Sequence, residues 1–397
     1  MSISNFAIVV VTFNRAESLE RLLKSLGDSI YDSNFSYTLI ISIDGGGSSD
    51  VLHIAESFKW KFGKKEIIQR TQNIGLRAHI LKCGELTIEY GAVLILEDDL
   101  YVSQYFPYIT KKLVNYYGNS DELAGASLYS YKYNEYAKMP FFPLTSQYDI
   151  YLMQVASSWG QIWTKKQWLR FKAWYDDNVD IGVNLTDPLP EAVINWPNSS
   201  WKKFFQKYMV EKGLYIVYPY EAYVTNFADV GSHFAVPMQH FQIPLCNIDK
   251  DFNFCDLDEA EVFYDAYYEP LPSLWENGFS DVYKGKVELD LFGLKLNRPI
   301  QAEYLISIHD CKNPILSYSS SLIPPVNNVL FNVIGNDYSL SKKHEFIVKS
   351  KVSMMFHKFS RVITPSIDDL FFYCLSYIKL RVNIFVNKKI RSLKPKL

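Results

Sequence analysis

Glu97, Asp98 and Asp99 stand in a row behind the apolar run Val93-Leu94-Ile95-Leu96. Adjacent carboxylates repel one another unless a cation, a base or water neutralises them. A hard divalent cation suits such oxygens and bridges readily to phosphates. Metal-assisted chemistry on a phosphorylated substrate is therefore one reading of the cluster. The other is a helix N-terminus, where the macrodipole favours acids. Arg15 and Asp44 share the pattern. They follow the apolar segments 6–13 and 37–43, and Asp44 opens the run Asp44-Gly45-Gly46-Gly47.

The elements that must position these charges follow from hydrophobic patterning. Continuous β-branched runs predict buried strands at 6–13, 37–43, near Ile67 and at 92–96. Helices alternate with them. The first follows Asn14, with Leu19, Leu22, Leu23 and Leu26 on one face, and others are expected at 49–60 and 73–90. This alternation indicates a parallel sheet with right-handed crossovers, and such sheets take ligands outside the carboxyl ends of their strands. Arg15, Asp44 and the three acids all fall at such ends. Three charged positions converging on one edge favour a site over three unrelated turns. Downstream the pattern predicts a helix over 101–117, a strand within 124–133, and a loop rich in Tyr, Pro and Phe to residue 148. Ser157-Ser158-Trp159-Gly160 leads to Trp163 and a helix ending near Tyr175. A loop over 176–197, a helix over 201–212 and a strand over 214–218 follow. The expected fold class is α/β. Residues 1–240 form the catalytic domain, 241–340 an acidic and β-rich extension, and 341–397 a basic amphipathic helical tail.

Composition narrows the function classes. The 397 residues are 48% hydrophobic and 16% aromatic, enough for a sizeable core. A net charge of −2 supplies no global field for nucleic acid. That small number hides an asymmetry. Residues 341–397 hold 13 Lys and Arg against 3 Asp and Glu, leaving 28 against 40 in residues 1–340. An acidic body with a basic tail suggests an anionic surface as partner. Five scattered cysteines without a Cys-x-x-Cys pair argue against a zinc site and for a reducing compartment. No basic n-region precedes the first strand, and no run of about 18 apolar residues occurs, so neither a secretory leader nor a membrane span is expected.

Taken in order, Val9-Val10-Val11-Thr12-Phe13-Asn14-Arg15, Ile40-Ile41-Ser42-Ile43-Asp44-Gly45-Gly46, Leu96-Glu97-Asp98-Asp99-Leu100, Ser158-Trp159-Gly160 and Trp196-Pro197 with Trp201 resemble the GT-A glycosyltransferases. The likeness is to bacterial family-2-like enzymes and the N-acetylglucosaminyltransferase I group, over residues 6–235. The resemblance implies a GT-A (Rossmann-like) mixed, mainly parallel sheet flanked by helices, and a UDP-sugar donor. It implies that Arg15 contacts the diphosphate, Asp44 accepts from the uracil ring, Asp98 binds the ribose and Glu97 the sugar hydroxyls. Asp99 would bind Mn²⁺ or Mg²⁺, which would stabilise the leaving diphosphate. His233, in the loop Asp229-Val230-Gly231-Ser232-His233, would touch the metal or the phosphates. Trp159 and Gly160 would sit against a sugar, the indole face stacking on a pyranose. Each has a structural alternative: a helix-start Arg, a turn Asp before Gly, a capping loop, a core Trp.

One position departs from the pattern. The resembled enzymes place the acceptor-activating carboxylate after a tryptophan, and here Trp201 is followed by Lys202 and Lys203. A protonated lysine cannot take a proton. Asp187, Glu191 and Asp229 are the catalytic candidates that remain, and an inverting outcome rests on analogy alone. The leading expectation is a glycosyltransferase, hexosyl- or N-acetylhexosaminyl-, extending a lipid-linked bacterial surface glycan. The tail segment 367–386, followed by Lys388, Lys389, Arg391, Lys394 and Lys396, would dock on an anionic membrane. The protein would then be cytoplasmic and peripheral to the inner face of the cell membrane. A nucleotidyltransferase and a catalytically inactive carbohydrate-binding protein are the alternatives.

Overall fold

The computed structural model describes residues 6–227, 229, 239–276, 279, 281–299, 301–350, 353–354, 375–376, 378–379 and 382. The chain divides into two compact units, Met1–Ala228 with Gln239–Val348, and Asp229–Met238 with Lys349–Leu397.

The first half of the larger unit alternates strand and helix. In chain order these are β1 (Ala7–Thr12), α1 (Ala16–Gly27), β2 (Thr38–Ile43), α2 (Ser49–Ser57), β3 (Lys65–Gln69), α3 (Gly75–Gly84), α4 (Thr87–Tyr90) and β4 (Ala92–Glu97). The apolar runs of β1, β2 and β4 are buried along nearly their whole length, as strands covered on both faces must be. In α1, Leu19, Leu22, Leu23 and Leu26 form the buried stripe. The segment expected as one helix over 73–90 is broken into α3 and α4 at Glu85 and Leu86.

After β4 the chain departs from the expected helix over 101–117. Residues Leu100–Val102 form a short strand, β5, and the helix α5 begins only at Phe106 and runs to Tyr117. Then come β6 (Leu123–Ser127), β7 (Tyr133–Asn134), β8 (Met139–Pro140), β9 (Ile150–Met153), β10 (Gln161–Thr164), α6 (Lys165–Asn178), α7 (Glu191–Ile194), α8 (Trp201–Lys212), β11 (Tyr215–Pro219), β12 (Val224–Asn226) and β13 (Phe263–Tyr264).

Nine strands build the central sheet in the order β13-β9-β11-β6-β10-β4-β1-β2-β3. It is mainly parallel. The pairs β1–β2, β1–β4, β2–β3, β6–β11 and β9–β13 are parallel, while β10 is antiparallel to both β4 and β6, and β9 to β11. Helices flank it, so the fold is mixed α/β.

Residues from 287 onward add a small four-stranded sheet of β14 (Val287–Asp290), β15 (Tyr304–Ser307), β17 (Leu316–Tyr318) and β18 (Tyr338–Lys342). The two-residue strand β16 (Asp310–Cys311) pairs with β19 (Phe346–Ile347) beside it. This extension belongs to the same compact unit as the central sheet. Buried charge links the two. Lys295 lies 2.6 Å from Asp265, just beyond β13, and 3.1 Å from Glu288 on β14. Among the described residues no helix is long and apolar enough to cross a membrane.

Candidate functional site at one end of the central sheet

Strand direction and register bring the predicted residues together. Thr12 pairs with Ile43 and Val11 with Glu97, so the chain after β1, β2 and β4 leaves the sheet at one level. β10 runs the other way, and its first residue, Gln161, lies opposite Ile95 and Ser127. Trp159 and Gly160 therefore meet the same edge from the opposite direction. The Ser127 hydroxyl donates to the Trp159 carbonyl at 3.0 Å, and the Leu128 N–H to that of Gly160 at 3.0 Å. Gly160 adopts φ +72°, and a Cβ there would stand 3.0 Å from both Leu128 and Val224, so only glycine fits without strain.

The acid cluster is neutralised from within the chain. Thr12 donates its hydroxyl proton to Asp98 Oδ2 at 2.8 Å. Arg15 reaches across with both arms. Its Nη2 pairs with Asp98 Oδ1, and its Nη1 donates to Asp99 Oδ2 at 2.9 Å. Asp98 is buried, and burial raises its pKa although Arg15 and Thr12 pull it back. Burial also opposes the charge on Arg15, but Asp98 and Asp99 outweigh it and hold the guanidinium protonated. Glu97 stands at the rim of the cluster, closely surrounded. Burial and the charge of Asp99 push its carboxyl up to about 7, against the pull of Arg15 and Lys202. The helix-start reading of these acids is excluded. Asp99 leads into β5, which pairs antiparallel with β12, and the Phe227 N–H donates to the Asp99 carbonyl at 2.8 Å.

Asp44 is buried and fully oriented by backbone. Its Oδ1 accepts from the N–H groups of Gly45 (2.9 Å) and Ile74 (3.0 Å), and its Oδ2 from Gly75 (3.1 Å). It thus ties the end of β2 to the start of α3. The neighbouring turn is tight enough that a Cβ on Gly47 would meet the Phe13 carbonyl oxygen at 1.9 Å.

The two lysines after Trp201 have different surroundings. Lys203 is buried and donates to the Trp196 carbonyl at 2.9 Å, and desolvation lowers its pKa. Lys202 faces the site. Its Nζ lies 5.8 Å from the centre of the Trp159 ring, 4.9 Å from that of Trp196 and 3.9 Å from Glu135 Oε1. Trp159 is itself 7% exposed and packed on Tyr129 and Phe241, with ring centres 4.6 and 5.0 Å away.

The remaining candidates are placed differently. Asp187 lies 3.1 Å from Lys207 and accepts the Asn184 N–H at 2.8 Å. Lys207 follows Lys202 by five residues on α8, about 140° around the helix, so Asp187 packs on another face. Glu191 is exposed in the first turn of α7. Asp229 is half-buried and belongs to the smaller unit. His233 lies outside the described residues. Sequence reasoning overlooked Thr12, although it stands in the first motif, and Glu135, which no motif flags. It counted Lys202 only as a departure.

The acid cluster leaves one buried oxygen free for a divalent cation. Asp99 Oδ1 is buried and has no hydrogen-bond partner, while Arg15 occupies Oδ2. A single unpartnered carboxylate oxygen suits Mg²⁺ or Mn²⁺ held jointly by one protein ligand and substrate phosphates. No cage of three or more His, Cys, Asp or Glu side chains exists among the described residues.

No protein-family model and no curated protein matches this chain. Among solved structures it is similar to residues 1–349 of TarS from S. aureus, at 15% identity and a TM-score of 0.34, over 55% of this chain and 59% of that one. The same fragment in complex with UDP matches at 16% identity and a TM-score of 0.34, over the same shares. The mannosyltransferase PcManGT from Pyrobaculum calidifontis, in complex with GDP-Man and Mn²⁺, matches at 8% identity and a TM-score of 0.31, over 43% of this chain and 46% of that one.

Proposed function

We propose that the protein is a glycosyltransferase that moves a sugar from a UDP-sugar to a hydroxyl of a growing, lipid-linked bacterial surface polysaccharide, with Mn²⁺ or Mg²⁺ as cofactor. The observation that carries this reading is the convergence of Arg15, Glu97-Asp98-Asp99, Asp44 and Trp159-Gly160 on one end of the central sheet. In this reading Asp99 Oδ1 holds the metal, which when bound would offset the charge of the leaving diphosphate. Arg15, anchored on Asp98 and Asp99, presents the rest of its fork to the phosphates. Asp98 takes the ribose, Glu97 the sugar hydroxyls, and Asp44 the uracil N–H. Trp159 is mostly core, and its exposed edge would bound the sugar.

The basic tail would hold the enzyme at the inner face of the cell membrane. Most of it lies outside the described residues. Of those described, Leu375, Ile378 and Val382 are helical, exposed and spaced three and four residues apart. Apolar residues at such spacing are a pattern that interfacial binding uses.

Calorimetry with UDP and Mn²⁺ tests the site. The parent protein binds UDP only with the metal present, and Asp99→Ala weakens that binding at least about tenfold, because one hard ligand is lost and no neighbour replaces it. Equal affinity in variant and parent removes Asp99 from the site. Stabilisation of the parent by nucleoside triphosphates alone, or by glycans alone, would favour the nucleotidyltransferase or binding-protein alternative.

A further inference from the structure

Sugar transfer to a hydroxyl needs a group that takes the hydroxyl proton, and Lys202 occupies the place where such a group is expected. The candidate acids differ in what remains free. Asp98 is held by Arg15 and Thr12, Asp44 by three N–H groups, and Asp187 by Lys207 and the Asn184 N–H. Asp99 has one oxygen left, which the metal would take. Glu135 is different. Its Oε1 is buried, accepts no hydrogen bond, and lies 3.9 Å from Lys202 Nζ.

The turn that carries this carboxylate is tightly hydrogen-bonded. Glu135 sits in the turn between β7 and β8. There the Asn134 side chain accepts the N–H groups of Tyr136 and Ala137, each at 3.0 Å, and the Lys138 N–H donates to the Asn134 carbonyl at 2.8 Å. Lys202 is an unusual residue for its position. It lies in the first turn of α8, where the macrodipole disfavours a cation. Its side chain is only 19% exposed, yet its contacts are two indole faces and a carboxylate beyond hydrogen-bond length. Its charge also reaches Glu97. Lys202 thus joins Glu135 to Trp159, with half-buried Trp196 alongside. Tyr133, on the strand leading to Glu135, stacks on His240 with ring centres 4.9 Å apart and planes 8° apart.

We infer that Glu135 is the proton acceptor for the incoming hydroxyl and that Lys202 is its positioning residue, an assignment that rests on the donor reading above. In the step, the acceptor oxygen bonds to the anomeric carbon and its proton passes to the Glu135 carboxylate. The bond from the anomeric carbon to the diphosphate oxygen breaks, and its electron pair leaves with the nucleoside diphosphate. Lys202, 3.9 Å away, orients the carboxylate by charge without entering the proton transfer.

The test uses water as the acceptor and follows UDP release from UDP-glucose, UDP-galactose and UDP-N-acetylglucosamine with Mn²⁺, alongside UDP affinity by calorimetry. Glu135→Gln lowers kcat at least about 100-fold, the usual scale for removing a general base, and leaves UDP affinity within about twofold. If that variant does not fold, Glu135→Asp serves, since it keeps the charge and withdraws the oxygen by one methylene, and its kcat falls while UDP affinity holds. Lys202→Met lowers kcat about tenfold or more at constant donor KM, and Lys202→Arg restores most of the loss, a split that mere packing would not produce. Turnover by Glu135→Gln within about threefold of the parent, with donor binding intact, overturns the assignment alone. A parent protein that neither binds nor turns over any of the three donors overturns the donor reading, and this assignment with it.

Discussion

Glu97 carries a proton-linkage consequence at the scale of a single residue. Its carboxyl is pushed from 4.5 up to about 7 by burial and by Asp99. The folded protein therefore holds a proton on it that the unfolded chain has released, between those two values. Stability from this group is complete below pH 4.5 and declines as pH rises to about 7. Glu97→Gln removes the decline. Compared by urea unfolding, the variant gains on the parent by on the order of 1–3 kcal/mol between pH 5 and pH 8. A gap that stays constant with pH would show that Glu97 is solvated. The charged residues of the cluster were legible in the sequence because each ends an apolar run. Glu135 was not, because its significance comes from Lys202, 67 positions away, and no local pattern marks it.

Asp44 belongs to the scale of elements, since its three accepted N–H groups join β2 to α3. Asp44→Asn replaces one acceptor oxygen by a donor that faces another donor. The change should lower stability by about 1.5–3 kcal/mol, the range for hydrogen bonds to a charged group. Chemical denaturation measures it, and a stability within about 0.5 kcal/mol of the parent would remove the joining role. Uridine affinity falls as well if the remaining lone pair on Oδ2 serves the base. Elements were legible where burial is continuous: β1, β2 and β4, and the leucine stripe of α1. The failure at residues 101–105 has a physical cause. Leu100–Val102 is a strand only because Val224–Asn226 pairs with it, and a partner that distant leaves no local pattern. The same holds for β13, which joins the central sheet beside β9 from within the stretch expected as a separate acidic and β-rich extension.

For the whole molecule, the charge split predicts how the protein distributes between solution and surface. Truncation after Pro365 should release it from anionic vesicles while leaving donor turnover intact. High salt should mimic part of that release by screening, and apolar insertion should keep a residual fraction bound. Co-sedimentation with anionic and neutral vesicles at two salt concentrations decides the matter, since full-length protein that ignores both vesicle types has no membrane affinity. The extension over 287–347 behaves as part of the body. Removing Lys295 would leave Asp265 and Glu288 as facing acids, so the two sheets are expected to unfold together.

The tryptophans give the site an optical signal of its own. Six of the eight, Trp159, Trp163, Trp168, Trp174, Trp201 and Trp275, are buried. The two that meet solvent stand at opposite ends of the central sheet. Trp60 donates its indole N–H to the Tyr37 carbonyl at the amino end of β2, whereas Trp196 lies over Lys202 beyond the carboxyl ends. A quencher or a bound sugar at the Lys202 end changes the emission of Trp196 and leaves Trp60 as an internal reference in the same chain.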